Sequence, residues 1–157
     1  MEETRRMTQR ATGRMPRMAS KKATRQLQRV YDCLGHRNGI ITTGQPNIWW
    51  NLSLEKEDLT DDISEIRIGV FRKAAGEIMY DPVFYLLAYM DGDKITAVEP
   101  RRYISETGFI DIVIDANDRV ISSRGEKDTY GLLRRFSAFM DNVTEAGPYL
   151  ESGRVQR

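Results

Sequence analysis

The chain has 157 residues, the length of one domain on the usual range of about 100–200, which excludes an array of catalytic domains. Hydrophobic residues make up 40%, and 12 glycines bring apolar residues plus Gly to about 48%, an ordinary globular composition that supports a real core. The formal charge of +1 hides a polarity: nine cations against Glu2 and Glu3 leave Met1–Val30 at +7, and Tyr31–Arg157 carries the balance of −6.

Residues 1–19 lack hydrophobic periodicity, contain Gly13 and Pro16, and read as a basic flexible arm. Its cations are Arg5, Arg6, Arg10, Arg14 and Arg17, set among Thr, Gln, Met and Gly with no aromatic residue on which a base would stack. That pattern reads as phosphate contact without sequence readout. Met7, Met15 and Met18 each offer a later translation start, which would shorten the arm.

From Ser20 the pattern is helical. Ala23, Leu27, Val30, Tyr31 and Leu34 share one side of the wheel, and Gly35 suits the position just past the helix. Lys21, Lys22, Arg25 and Arg29 lie opposite and prolong the basic arm as a stripe. Cations in a first helical turn oppose the helix dipole, a cost that phosphates or an acidic partner would relieve.

The middle of the chain reads as strands. Ile48, Trp50, Leu52 and Leu54 alternate with polar positions and Trp49, as do Ile66, Ile68 and Val70. Pro82–Met90 is apolar on both faces, and Asp91-Gly92-Asp93 turns into a strand at Lys94–Glu99. Phe109–Asp115 alternates again and turns at Ala116-Asn117-Asp118 into a short strand at Val120–Ser122. Asp128 or Thr129 then caps an amphipathic helix through Leu132, Leu133, Phe136, Phe139, Met140 and Val143, which Gly147-Pro148 stops. The expected fold is therefore α+β: an N-terminal helix, a five- or six-stranded antiparallel meander and a C-terminal helix packed on the sheet. It occupies residues 20–147, and a polar, mobile tail follows over residues 148–157.

Few chemistries survive this composition. Cys33 is the only cysteine and His36 the only histidine, which excludes an internal disulfide, multi-cysteine zinc sites and a histidine dyad. A Cys33–His36 nucleophile pair falls near the end of one helix, in an unproductive orientation. No phosphate-binding glycine loop of the G-x-x-x-x-G-K-[ST] or G-x-G-x-x-G kind occurs. The longest apolar run is far short of the roughly 18–20 residues that span a bilayer, and the N-terminus lacks the apolar centre of a secretory signal. The expectation is a cytoplasmic protein with no cofactor, no metal and no membrane partner.

Two further surfaces stand out. Glu55, Glu57, Asp58, Asp61, Asp62 and Glu65, opposed only by Lys56, form an acidic run that would imitate nucleic-acid phosphates toward a basic partner, bind a hard cation, or lie in a solvated loop. Trp49, facing away from Trp50 in a strand, is a candidate binding anchor.

The segment Gly76-Glu77-Ile78-Met79-Tyr80-Asp81-Pro82, entering an apolar strand, resembles a small family of uncharacterised proteins carried by phages, plasmids and conjugative elements. The basic first helix ending at Leu34-Gly35, the one-sided strand at Glu65–Phe71 and the late amphipathic helix agree in order, so the resemblance covers Met18–Gly147. It implies no activity and no catalytic residues, only a mobile-element setting. Small, motif-poor proteins of such elements often act stoichiometrically on host machinery. The expected function is therefore non-enzymatic binding of a host protein–nucleic-acid complex, such as a CRISPR or restriction nuclease, most concretely as an anti-CRISPR-like inhibitor. A DNA-binding or DNA-transfer accessory protein and a small hydrolase are the alternatives.

Overall fold

The structure is a computed structural model that describes residues 18–42, 50–106, 108–111, 125–146, 149–152 and 154–156. Helix α1 runs over Lys21–Cys33, where the sequence places it. Ser20 caps it, its Oγ accepting from the Ala23 N–H at 3.0 Å. At the other end Gly35, with φ 69°, lets the Gly35 and His36 amides return to the carbonyls of Asp32 and Tyr31 at 2.9 and 3.0 Å. This is the Schellman closure that a glycine in left-handed conformation permits.

Strands β1 (Gly39–Thr42), β2 (Asn51–Asp58), β3 (Ile63–Ala74), β4 (Glu77–Asp91), β5 (Lys94–Ser105) and β6 (Gly108–Asp111) follow. Then come α2 (Gly125–Asp141), a π-helical turn at Asn142–Ala146, α3 (Tyr149–Ser152) and β7 (Arg154–Gln156). All seven strands form one antiparallel sheet in the order β6-β5-β4-β3-β2-β1-β7, so α+β is the class and six strands follow one another as a meander.

Four expectations need correction. Among the described residues the sheet has seven strands against the expected five or six, because β1, with only Ile40 and Ile41 apolar, and β7, with only Val155, give too short an alternation to stand out. The order helix, sheet, helix continues into a further helix and strand. Residues of the segment expected as a polar tail take part in the fold: Val155 lies opposite Ile41 in β7, and Tyr149 is buried and donates from its hydroxyl to the Trp50 carbonyl at 3.3 Å. The late helix begins at Gly125, ahead of Asp128 and Thr129, and its winding continues past Asp141. The arm arginines Arg5, Arg6, Arg10, Arg14 and Arg17, Trp49, and the strand expected at Val120–Ser122 lie outside the described residues.

Both long helices cover one face of the sheet. Leu27, Val30 and Tyr31 of α1 and Leu132, Phe136 and Met140 of α2 join Leu52, Leu54, Ile66, Ile68, Phe84, Leu86 and Val98 in a single core. Phe84 is its hub, with ring centroids 5.0–5.4 Å from Tyr103, Phe136 and Phe139. Alternation along each strand sends Glu55, Glu57, Glu65, Arg67, Tyr85 and Leu87 to the opposite face, which no described helix covers.

Helix α1 also seals an edge. Beyond the reach of β6, the Val98 carbonyl accepts from the Ala19 amide at 2.8 Å, and the Ile95 amide donates to Gln28 Oε1 at 2.6 Å. Gln28 Nε2 donates in turn to the Asp93 carbonyl at 3.0 Å. Backbone groups that would otherwise template a foreign strand are thereby satisfied.

Candidate functional site

The exposed side of α1 is the candidate site. With Ala23, Leu27, Val30 and Tyr31 buried on the core side, helical geometry turns Lys21, Arg25 and Arg29 to solvent, and all three are exposed. None of the three pairs with a described carboxylate. Lys21 and Arg29 are eight positions apart, about 12 Å along the helix axis.

Lys22 behaves differently from its neighbours. Its Nζ lies 3.4 Å from Asp141 at the end of α2 and 3.5 Å from Glu145 in the π-helical turn. Gln26, 3% exposed, donates through Nε2 to the same carboxylates at 2.7 and 2.5 Å. The Gln26 amide first, and then Lys22, hold the Asp141 carboxyl below its ordinary range. Asp141, followed by Glu145, holds the Lys22 ammonium above its ordinary value. An acidic pair from a distant helix thus supplies the counter-charge at the start of α1, and the stripe expected to carry four cations presents three.

The far end of α1 is also committed. His36 places Nε2 2.7 Å from Asp32 and Nδ1 3.3 Å from Asp93, with its ring 4.9 Å from that of Tyr31. Asp32 also accepts from Gln28 Nε2 at 2.9 Å, and that bond is the largest cause of its depressed pKa. Both imidazole nitrogens therefore face carboxylates, and the Cys33 thiol, exposed on α1, gains no base from His36. Among the described residues no group of three or more His, Cys, Asp or Glu is placed to hold a metal ion. No helix among them is long and apolar enough to cross a membrane.

The acidic run divides into three. Glu55 and Glu57 point to the helix-free sheet face, where Glu55 is bonded to Arg67. Lys56 and Asp58 point to the other side. There Asp58 accepts from Lys56 Nζ at 2.6 Å and Ser64 Oγ at 2.9 Å, which lowers its pKa and raises that of Lys56. Lys56 Nζ also lies 5.9 Å from the centre of the Tyr31 ring. Asp61 and Asp62 sit in the turn between β2 and β3, with Asp62 accepting from Thr60 Oγ1 at 3.0 Å.

Sequence reasoning missed the residues that complete the helix-free face. Glu55, Arg67, Tyr85, Arg102 and Asp111 lie directly opposite one another across β2 to β6. The Arg102 guanidinium sits 5.3 Å over the Tyr85 ring. Lys56 and Arg67, together with Glu55, Glu57, Glu65 and Tyr85, line a cleft of about 390 Å³ here. Extending the two-residue alternation of β2 past Leu54 would have revealed the Glu55–Glu57 side. The Arg67–Tyr85–Arg102 row depends on strand register and has no local signal. No protein-family model, no characterised protein and no solved structure matches this chain.

Proposed function

We propose that the protein is a non-enzymatic accessory factor that binds a nucleoprotein complex, meeting phosphate through α1 and the basic arm before it. In the mobile-element setting that the sequence resemblance implies, its most concrete form is an anti-CRISPR-like inhibitor of a host nuclease. The observation that supports the reading is the row of Lys21, Arg25 and Arg29, exposed on a helix whose other side is locked in the core and without a described carboxylate partner. Three cations over about 12 Å lie along a run of about four phosphates of one duplex strand, whose charges repeat every 3.4 Å along the axis. The acidic remainder of the chain favours a protein–nucleic-acid complex over a protein that coats nucleic acid on all sides.

Capture from a bacterial host lysate, with and without nuclease treatment, tests this directly. The expected outcome is a protein partner that survives nuclease, together with weak binding to bare duplex DNA in a shift assay. Tight binding to bare DNA and loss of every partner after nuclease would instead make it a DNA-binding or DNA-transfer accessory protein.

A further inference from the structure

The helix-free sheet face is chemically unlike α1, and three of its rows can be read from the strand register. In the first, Val83 lies opposite Ile104, and Ile104 opposite Phe109, which is 57% exposed. The second is Glu55, Arg67, Tyr85, Arg102 and Asp111. In the third, Glu57 lies opposite Glu65, Glu65 opposite Leu87, and Leu87 opposite Glu99.

The charges in these rows are not balanced. Arg67 is held by Glu55, Arg102 lies over Tyr85, and Arg101 is bonded to the buried Glu99. Glu57 and Glu65 remain exposed and directly opposite, and no described cation pairs with either. Like charges facing each other across strands are destabilising. A cation entering between them would reverse that cost, and the half-buried Tyr85 and Leu87 side chains stand beside it as apolar surface.

We infer that this face docks a protein segment rich in arginine or lysine, with the Glu57–Glu65 pair receiving a cation and Tyr85 and Leu87 receiving the apolar stem beside it. Charge disfavours two other occupants, nucleic acid and a second copy. Nucleic-acid phosphate would meet unpaired carboxylates while both arginines of the middle row are already engaged. A second copy stacked face to face about a two-fold axis along the strands at Tyr85 brings Arg67 against Arg102. An axis across the strands along that row sets each residue of the row against itself. The inference stands apart from the phosphate reading of α1, because the two surfaces share no residue.

The test is fluorescence anisotropy with a labelled peptide of six Arg-Gly repeats added to the full chain. The expected result is saturable binding that weakens about tenfold in Glu57→Gln/Glu65→Gln and several-fold in Tyr85→Ser, with Lys21→Ala/Arg25→Ala/Arg29→Ala unchanged. Since Glu57 and Glu65 are exposed, the glutamine pair keeps the fold, which circular dichroism verifies. No binding to the wild-type chain would overturn the proposal, as would an equal loss in Asp61→Asn/Asp62→Asn, which signals attraction to acidic charge in general. It would also be overturned by a sedimenting dimer that the glutamine pair dissociates, since the occupant would then be a second copy.

Discussion

The salt dependence of nucleic-acid binding separates the cations of α1 from one another. Each phosphate neutralised on duplex DNA contributes about 0.9 to the slope of log affinity against log salt. Lys21, Arg25 and Arg29 are exposed and without described partners, so Lys21→Ala/Arg25→Ala/Arg29→Ala should make the slope shallower by about 2.7. Between 50 and 200 mM salt the affinity ratio between wild type and variant should then shrink by about fortyfold. Lys22 is as basic and lies in the same helical turn, yet Asp141 and Glu145 already neutralise it. Lys22→Ala should leave the slope within experimental scatter. The assay is anisotropy titration of the captured complex, or of duplex DNA at low salt, across a salt series. A triple variant with an unchanged slope would refute phosphate contact by α1. A Lys22→Ala slope as shallow as one-third of the triple effect would refute the claim that the acidic pair removes Lys22 from the surface.

Four further outcomes follow from the packing and the ion pairs. Phe84→Ala removes the ring that contacts Tyr103, Phe136 and Phe139, and should cost about 3–5 kcal/mol in urea unfolding. Gly69→Ala would place a methyl 2.7 Å from the Pro82 carbonyl oxygen and 2.9 Å from Val83 Cα. Backbone must shift, and a loss of about 1–3 kcal/mol is expected from the same assay. Tyr149→Phe deletes the bond to the Trp50 carbonyl and should cost about 0.5–1.5 kcal/mol by thermal melting. The folded-state pKa values of Asp32, Asp58 and Asp141 are depressed, so their stabilisation is present above the ordinary carboxylate pKa and is lost as pH falls through the folded values. Acid unfolding of Asp141→Asn should accordingly be less steep below about pH 4 than that of wild type.

Local periodicity carried α1, β2 to β5 and most of α2, because each has enough apolar repeats to establish a face. It failed at β1 and β7. Each contributes three or four residues, and Val155 is the only apolar residue of β7, so pairing in the folded chain makes these strands rather than any propensity of their own. The candidate site was legible in the same uneven way. Arg25 and Arg29 face solvent as the helical wheel requires, but the loss of Lys22 to Asp141 and Glu145 depends on where α1 meets the end of α2, more than a hundred residues away. The acidic run appears continuous in sequence and is divided in space, because Lys56 and Asp58 alternate away from Glu55 and Glu57.

The seal that α1 places on the edge of β5 has a consequence for the order of folding. Hairpins from β2 to β5 close between sequence neighbours, at little loop entropy, and form a nucleus of low contact order. Gln28, by contrast, reaches Ile95 across 67 residues, and Thr42 reaches Arg154 across 112. The meander should therefore assemble with the edge of β5 bare and the outer side of β1 unpaired, and α1 and β7 should close them last. Aggregation during refolding should track that interval, rising with chain concentration and with any substitution that slows the docking of α1, even one that leaves the final stability unchanged.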